Sequence, residues 1–303
     1  MLILSGDHIY KMDYEIMLDY HKANNADVSI AAMTVPIEEA SRFGVLIADE
    51  KNMIMEFEEK PENPRSNLVS MGIYIFSWKA LRESLIYLRD EPGCDFGKHI
   101  IPYMHSKGDR VFAYEYSGYW KDVGTLESYW EANMELIDII PEFNLYEEYW
   151  KIFTKSDIIT PQYISDKAYI SRSIIGEGVE IYGSVVNSVI GAGVVIEEGA
   201  EVRDSIIMQG TNIGRNTKIQ KSIIAEHVEV GDNCNIGVGE YTESKYDKKV
   251  YNADIVTIGE KSIIPRGVTI GKNTAIMGET RIEDYENAVL ESGDYIVKAG
   301  GIR

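Results

Sequence analysis

Cysteine is nearly missing from this chain: Cys94 and Cys234 are the only two in 303 residues. They stand far apart and outside any metal-ligand spacing, so they read as reduced thiols in a cytoplasmic protein. No apolar run approaches the roughly eighteen residues of a membrane span, and no charged-then-apolar leader precedes the first strand-like segment. Neither a membrane anchor nor a signal peptide is expected. Basic residues are scarce too, with 30 Lys and Arg against 49 Asp and Glu and a formal charge of −19. A surface this acidic repels nucleic acid, which needs a dense basic face. A small phosphate ligand would have to be held by a few placed Lys or Arg residues and a bound metal, against the general field.

What remains is the composition of an ordinary globular protein, 45% hydrophobic and 26% charged, long enough for two domains with separate cores. Residues 1–140 alternate strand-like and helix-like segments. Leu2 to Leu4 is a short apolar strand running into Ser5-Gly6-Asp7. Asp13 can cap a helix with Ile16, Met17 and Tyr20 at helical spacing. Ala26 to Val35 reads as a buried strand. Val45 to Ile47 and Met53 to Phe57 read as a hairpin around Asp49-Glu50-Lys51-Asn52. Ser70 to Phe76 is a further strand with a helix from Ser77, Asp95 is a cap for the helix holding Ile100 and Ile101, and Val111 to Tyr116 precedes a helix from Thr125 through Ile137. The alternation predicts a mostly parallel sheet flanked by helices.

The second half is a repeat. Ser-(Ile/Val)-Ile opens at Ser173, Ser188, Ser205 and Ser222, and apolar residues return every six positions, as in Ile190, Ile196 and Val202, or Ile258, Ile264, Ile270 and Ile276. That period predicts a left-handed parallel β-helix over 166–303, with Gly176, Gly191, Gly214 and Gly271 at corners that need positive φ. Glu240 to Asp254 breaks the rhythm and is expected to protrude as a loop, and 141–165 reads as the connection. Some β-helices transfer acyl groups with a catalytic histidine. His227, the only histidine of this half, reads instead as a surface residue.

Chemistry-bearing residues gather in the first half. Asp7 follows an apolar strand, and Asp122 lies in Trp120-Lys121-Asp122-Val123-Gly124-Thr125, also between a strand and a helix. Ligands of open α/β sheets bind at such strand ends, and two carboxylates there can hold Mg²⁺ between phosphates, although either could equally be a turn or cap residue. Lys60, in Glu58-Glu59-Lys60-Pro61, stands beside a rigid turn where an ammonium could meet a phosphate, or it belongs to a solvated charge run.

Leu4-Ser5-Gly6-Asp7-His8-Ile9-Tyr10-Lys11-Met12-Asp13-Tyr14 closely resembles the core motif of the ADP-glucose pyrophosphorylases, the glucose-1-phosphate adenylyltransferase family. So do Glu59-Lys60-Pro61, Ser70-Met71-Gly72-Ile73-Tyr74-Ile75-Phe76, Asp95-Phe96-Gly97-Lys98 and Tyr119-Trp120-Lys121-Asp122-Val123-Gly124-Thr125, in the family's order and with a β-helix behind them. The resemblance implies a partial Rossmann-like nucleotidyltransferase domain followed by a left-handed β-helix. It implies transfer of an adenylyl group from ATP to glucose 1-phosphate, giving ADP-glucose and pyrophosphate for glycogen synthesis. Asp7 and Asp122 would hold the catalytic Mg²⁺. Glu59 would accept from glucose hydroxyls, Lys60 would bind the sugar phosphate, Ser70 would contact the sugar, and Tyr74 and Trp120 would shape the pocket. A cytoplasmic homotetramer is implied as well. The family's Gly-rich, Arg-containing nucleotide loop has no counterpart before Asp7, so weak ATP binding and an unstable first domain are expected. Two other readings stay open: a sugar-1-phosphate nucleotidyltransferase with another base or sugar, and a non-catalytic assembly subunit using the β-helix.

Overall fold

Residues 1–154, 159–285 and 287–298 are described by a computed structural model, and they group into two units, Met1–Trp120 and Lys121–Arg303. Residues 155–158 of the connection, and 286 and 299–303 of the predicted β-helix, lie outside the described residues.

In the first unit the sheet runs in the order Ile54–Glu59, Gly44–Ala48, Leu68–Phe76, Val28–Thr34, Val111–Glu115, with Leu2–Ile3 also paired to Leu68–Phe76. The two central strands, Leu68–Phe76 and Val28–Thr34, are mostly apolar and buried because both of their faces are covered. Val28, Ile30, Tyr74 and Phe76 pack with Leu81 of the helix Trp78–Tyr87, Ile100 of the turn Phe96–Ile100, and Ile101 and Met104 of the helix Ile101–Lys107. Ala31, Met71, Ile73 and Ile75 pack with Met17 of the helix Tyr14–Ala23. Asp13 caps that helix by accepting from the Glu15 N–H, and Asp95 caps the turn Phe96–Ile100 by accepting from Lys98. The sheet is mixed, not mostly parallel. Only Val28–Thr34 with Val111–Glu115 is a parallel pair; the other four pairings are antiparallel. The cause lies in the connections. The Asp49–Asn52 turn is too short for a crossover, so Gly44–Ala48 and Ile54–Glu59 must run opposite ways.

The second unit is a parallel β-helix of three sheets. Each six-residue step of the sequence moves the chain to the next face, and each coil puts an aliphatic residue above its predecessor. Ile175, Ile190, Ile207, Ile224, Ile258, Ile276 and Ile296 form one ladder. Ile164, Ile181, Ile196, Ile213, Val230 and Ile264 form a second. The first rung, Tyr163–Ile164, falls in the segment read as connection. Both its residues are exposed, so no buried position announces it. Helix Leu126–Glu135, read with the first domain, belongs to the second unit. Leu126, Trp130 and Met134 pack on Ile206, Ile223 and Ile255, and Trp130 Nε1 donates to the Asp204 carbonyl at 2.8 Å. The stretch Glu240–Asp254 does not protrude freely. Lys245 N–H donates to Gly293 O at 2.8 Å, and the Tyr246 ring lies 5.1 Å from that of Tyr295, so this part of the stretch lies along the last coils.

The serines that mark the repeat form a corner ladder. Ser188 and Ser205 Oγ donate to the Val186 and Arg203 carbonyls at 2.8 and 2.6 Å. They accept from the N–H groups of Ser205 and Ser222 in the next coil, both at 3.1 Å. Ser205→Ala would leave the buried Ser222 N–H unpaired and is expected to cost about 2 kcal/mol, read in chemical unfolding of the chain.

Candidate active site

Strand Leu68–Phe76 carries an irregularity opposite Ile30–Ala32, and Gly72 inside it has φ +69°, a conformation glycine adopts without strain. The bulge turns the Met71 carbonyl toward His8, whose Nδ1 lies 2.8 Å from it. Trp120 stands edge-on to the His8 ring, centroids 5.3 Å apart, with its Nε1 3.3 Å from the same Nδ1. The carbonyl can only accept and the indole N–H can only donate, so the two contacts favour opposite tautomers of the ring, whose other nitrogen is Nε2. That Nε2 lies 3.6 Å from Asp7 Oδ1. Asp7 itself follows the strand Leu2–Ile3, is exposed, and accepts from Ser5 Oγ at 2.6 Å. This hydrogen bond, aided by His8 and Lys60, holds its carboxyl below the usual aspartate value against the effect of partial burial.

Glu59 closes the strand Ile54–Glu59 half-buried between two glycines. A Cβ on Gly97 would come within 2.5 Å of Glu59 Oε2, and one on Gly44 within 3.0 Å. Burial pushes the Glu59 carboxyl up, with Asp95 adding to the shift and Lys60 and Lys98 opposing it. The protonated form is therefore favoured by the fold. The stability tied to it is full below the unfolded glutamate value and is lost as pH rises through the folded one. Glu59→Gln should raise the melting temperature at pH 7 and give a smaller gain near pH 4, while weakening sugar binding. An equal gain at both pH values would contradict this account.

Lys60 follows in the left-handed region, φ +49°, with its N–H donating to the Phe43 carbonyl at 3.1 Å. A non-glycine residue held there is strained, and such strain concentrates at functional sites. Ser70 is buried, with Oγ 3.5 Å from the Tyr74 hydroxyl. The Tyr74 ring stacks on Phe96, centroids 5.9 Å apart, and burial raises its phenol, keeping it a donor. Trp120 also packs on Phe43 at 5.1 Å. Glu59, Asp95, Tyr74 and Phe96 thus form one neighbourhood, and Asp7, His8 and Trp120 another, linked by the charge of Lys60. Asp122 ends the strand Trp120–Asp122, and its Oδ1 accepts from the Gly124 N–H at 2.8 Å. Helix Leu126–Glu135 then starts in a capping box of Thr125 and Ser128.

The sequence assigns no site role to His8 or Gly97, and it marks Asp95 only as a helix cap, which it is. His8 was legible as a histidine directly after a strand-end aspartate. The glycine offered no signal by itself, because its role is to let a carboxylate from another strand approach.

The Nucleotidyl transferase family matches residues 1–139, and the family described as GlmU-like, C-terminal hexapeptide matches residues 160–258. A glucose-1-phosphate adenylyltransferase of Lachnospira eligens is 70% identical over 300 residues, covering 99% of this chain and 71% of that protein. The chain belongs to the glucose-1-phosphate adenylyltransferase family. Enzymes of the same name from Thermotoga maritima, 53% identical over 98% of this chain, and Acetivibrio thermocellus, 48% identical over 99%, are each likewise covered to 71%. The relation therefore runs through the strand-end motifs and the β-helix together. Among the described residues, no helix of this family member is long and apolar enough to cross a membrane.

Proposed function

We propose that the chain transfers the adenylyl group of ATP to glucose 1-phosphate, forming ADP-glucose and pyrophosphate, and that Glu59, Lys60, Ser70, Tyr74 and Trp120 bind the sugar phosphate. The observation that carries this reading is the juxtaposition of a strained Lys60 with the half-buried Glu59 at one strand end, in a chain 70% identical to an enzyme named for the reaction. Lys60 would set an ammonium against the phosphate while Glu59, kept in a dry notch, accepts from sugar hydroxyls. The Tyr74 hydroxyl, held protonated, and the Ser70 hydroxyl supply donors beside it. A phosphate oxygen of the sugar attacks the α-phosphorus of ATP and pyrophosphate leaves. The attacking oxygen is already ionised at neutral pH, so no protein base is needed, and the residues act by positioning and charge.

Asp7 and Asp122 would hold Mg²⁺. The donor set suits a hard cation: Asp7 is an exposed carboxylate, kept ionised, at a strand end. When bound, the ion offsets phosphate charge. A cytoplasmic homotetramer belongs to this reading too, as the form in which the family is expected to act.

The test is product analysis after incubating the chain with millimolar ATP, glucose 1-phosphate and Mg²⁺. ADP-glucose and pyrophosphate should appear in equal amounts, and UTP should not replace ATP. Nucleotide sugar formed equally well from UTP would move the assignment to another branch, and no product would favour the assembly-subunit reading. Lys60→Gln should weaken glucose 1-phosphate binding about 30-fold in calorimetry, the loss of one charge-assisted hydrogen bond. Lys60→Gly should weaken it as much without lowering the melting temperature, because glycine relieves the left-handed strain.

A further inference from the structure

We propose that Lys121 is a positioning residue for Asp122 and that it acts from the β-helix: helix Leu126–Glu135, seated on the coils, holds Lys121 and so fixes where the neighbouring carboxylate stands. This rests on the proposed reading of Asp122 as a cation ligand and names what orients that ligand.

The repeat supplies the seat. In the Ser-Ile-Ile triplets at Ser205 and Ser222 the second isoleucine, Ile207 or Ile224, points into the β-helix, and the first points out. Outward isoleucines on a solenoid should meet water, yet Ile206 and Ile223 are only 3% and 6% exposed. Leu126, Trp130 and Met134 cover them. These three recur at four-residue spacing and form one stripe along the helix. Trp130 fastens it: Nε1 donates to the Asp204 carbonyl at 2.8 Å, and the Lys221 ammonium lies 5.6 Å from the ring centroid.

A second stripe lies one residue on, about 100° around the helix. It carries Glu131 and Glu135, four apart, and both meet Lys121, whose Nζ stands 3.4 Å from Glu131 Oε2 and 2.5 Å from Glu135 Oε1. The Lys121 side chain is 19% exposed, so its end of the contact is better shielded from water than an ordinary surface ion pair. Consecutive residues of a strand point to opposite sides. Tying Lys121 to the helix therefore turns Asp122, the last residue of strand Trp120–Asp122, to the other side. The turn is braced again by the Gly124 N–H, which donates to Asp122 Oδ1 at 2.8 Å, and by the capping box of Thr125 and Ser128. Charge alone would act with the opposite sign. An ammonium beside a cation site repels the metal, so its removal would tighten binding, whereas loss of positioning loosens it.

The test is Mn²⁺ binding to the whole chain without substrates, followed by the electron paramagnetic resonance signal of the free ion. Carboxylate oxygens suit Mn²⁺ as they suit Mg²⁺. Lys121→Met should weaken binding about tenfold, the effect of losing a group that orients a ligand. Lys121→Arg, which can still bridge Glu131 and Glu135, should restore it. Trp130→Phe keeps a ring on the coils but loses the bond to the Asp204 carbonyl, and should weaken binding about threefold. Glucose 1-phosphate affinity should stay at the parent value in all three, which a general loss of folding would not allow. Trp130→Phe also decides the question if Lys121→Met melts early, and parent-like Mn²⁺ binding in it would overturn the part played by the β-helix. Unchanged or tighter binding in Lys121→Met, with binding lost in Asp122→Asn, would overturn the role of Lys121 and leave Asp122 as the ligand. Mn²⁺ binding unaffected by Asp122→Asn would overturn both.

Discussion

Asp7→Asn is expected to lower ADP-glucose formation about a thousandfold while the chain stays folded, a loss of about 4 kcal/mol of transition-state stabilisation. The substitution isolates charge. Asparagine has nearly the same shape, and its Oδ1 can still accept from Ser5 Oγ, which now bonds the carboxylate at 2.6 Å. The side chain is mostly solvent-exposed, so no core contact is lost. What disappears is an anion whose carboxyl the Ser5 hydrogen bond holds below the ordinary aspartate value. Because that carboxyl stays ionised throughout the neutral range, the deficit should be the same at pH 6.5 and pH 8.5. Pyrophosphate release at saturating Mg²⁺, with thermal melting as the folding check, measures both claims. Turnover within tenfold of the parent would remove Asp7 from the catalytic set, and a deficit that vanished at one end of the pH range would point to a proton-transfer role instead.

The contrast between the two halves says what a sequence can reveal. In the β-helix, local pattern follows global structure, so six-residue spacing mapped onto successive faces, whole coils onto stacked rungs, and the serine signature onto a hydrogen-bonded ladder. In the first unit, periodicity located strands but not their directions, because a buried strand reads the same in either orientation. The hairpin read around Asp49–Asn52 is antiparallel as expected, and the alternation rule failed at the other strands, whose connections carry no such short turn signal. The candidate site was legible as motifs and not as geometry. Asp7 and Lys60 were ambiguous in themselves and took roles from resemblance. The φ of Lys60, the notch around Glu59 and the contacts of His8 are set by residues between 15 and 63 positions away in the chain, Gly44 and Met71 among them.

The corner glycines carry the same lesson, and the largest expected stability effect. Gly176, Gly191, Gly214 and Gly271 were read as positive-φ corners, yet none of them has positive φ. They are glycines because the next coil passes directly over them: a Cβ on Gly191 would come within 2.7 Å of the Gln209 nitrogen, and one on Gly214 within 2.6 Å of the Gly231 carbonyl carbon. Positive φ belongs instead to neighbours such as Gly193, φ +66°, where a Cβ would meet nothing within 4 Å. Gly191→Ala and Gly193→Ala, two residues apart, therefore test different physics. At Gly193 alanine adopts a left-handed conformation in open space, costing about 1 kcal/mol. At Gly191 it presses on backbone, which cannot swing aside as a side chain would. The coils must separate there, stretching the Gly191 N–H bond to the Ile207 carbonyl, now 2.7 Å. About 3 kcal/mol is expected, at the upper end of overpacking effects. Since coils hold only their neighbours, the loss should spread outward from that junction. Hydrogen exchange should then speed at Gly191 and Met208 more than at Cys234 or Thr269. Equal destabilisation by the two variants, or a larger loss at Gly193, would show that backbone conformation and not coil contact selects glycine at both positions.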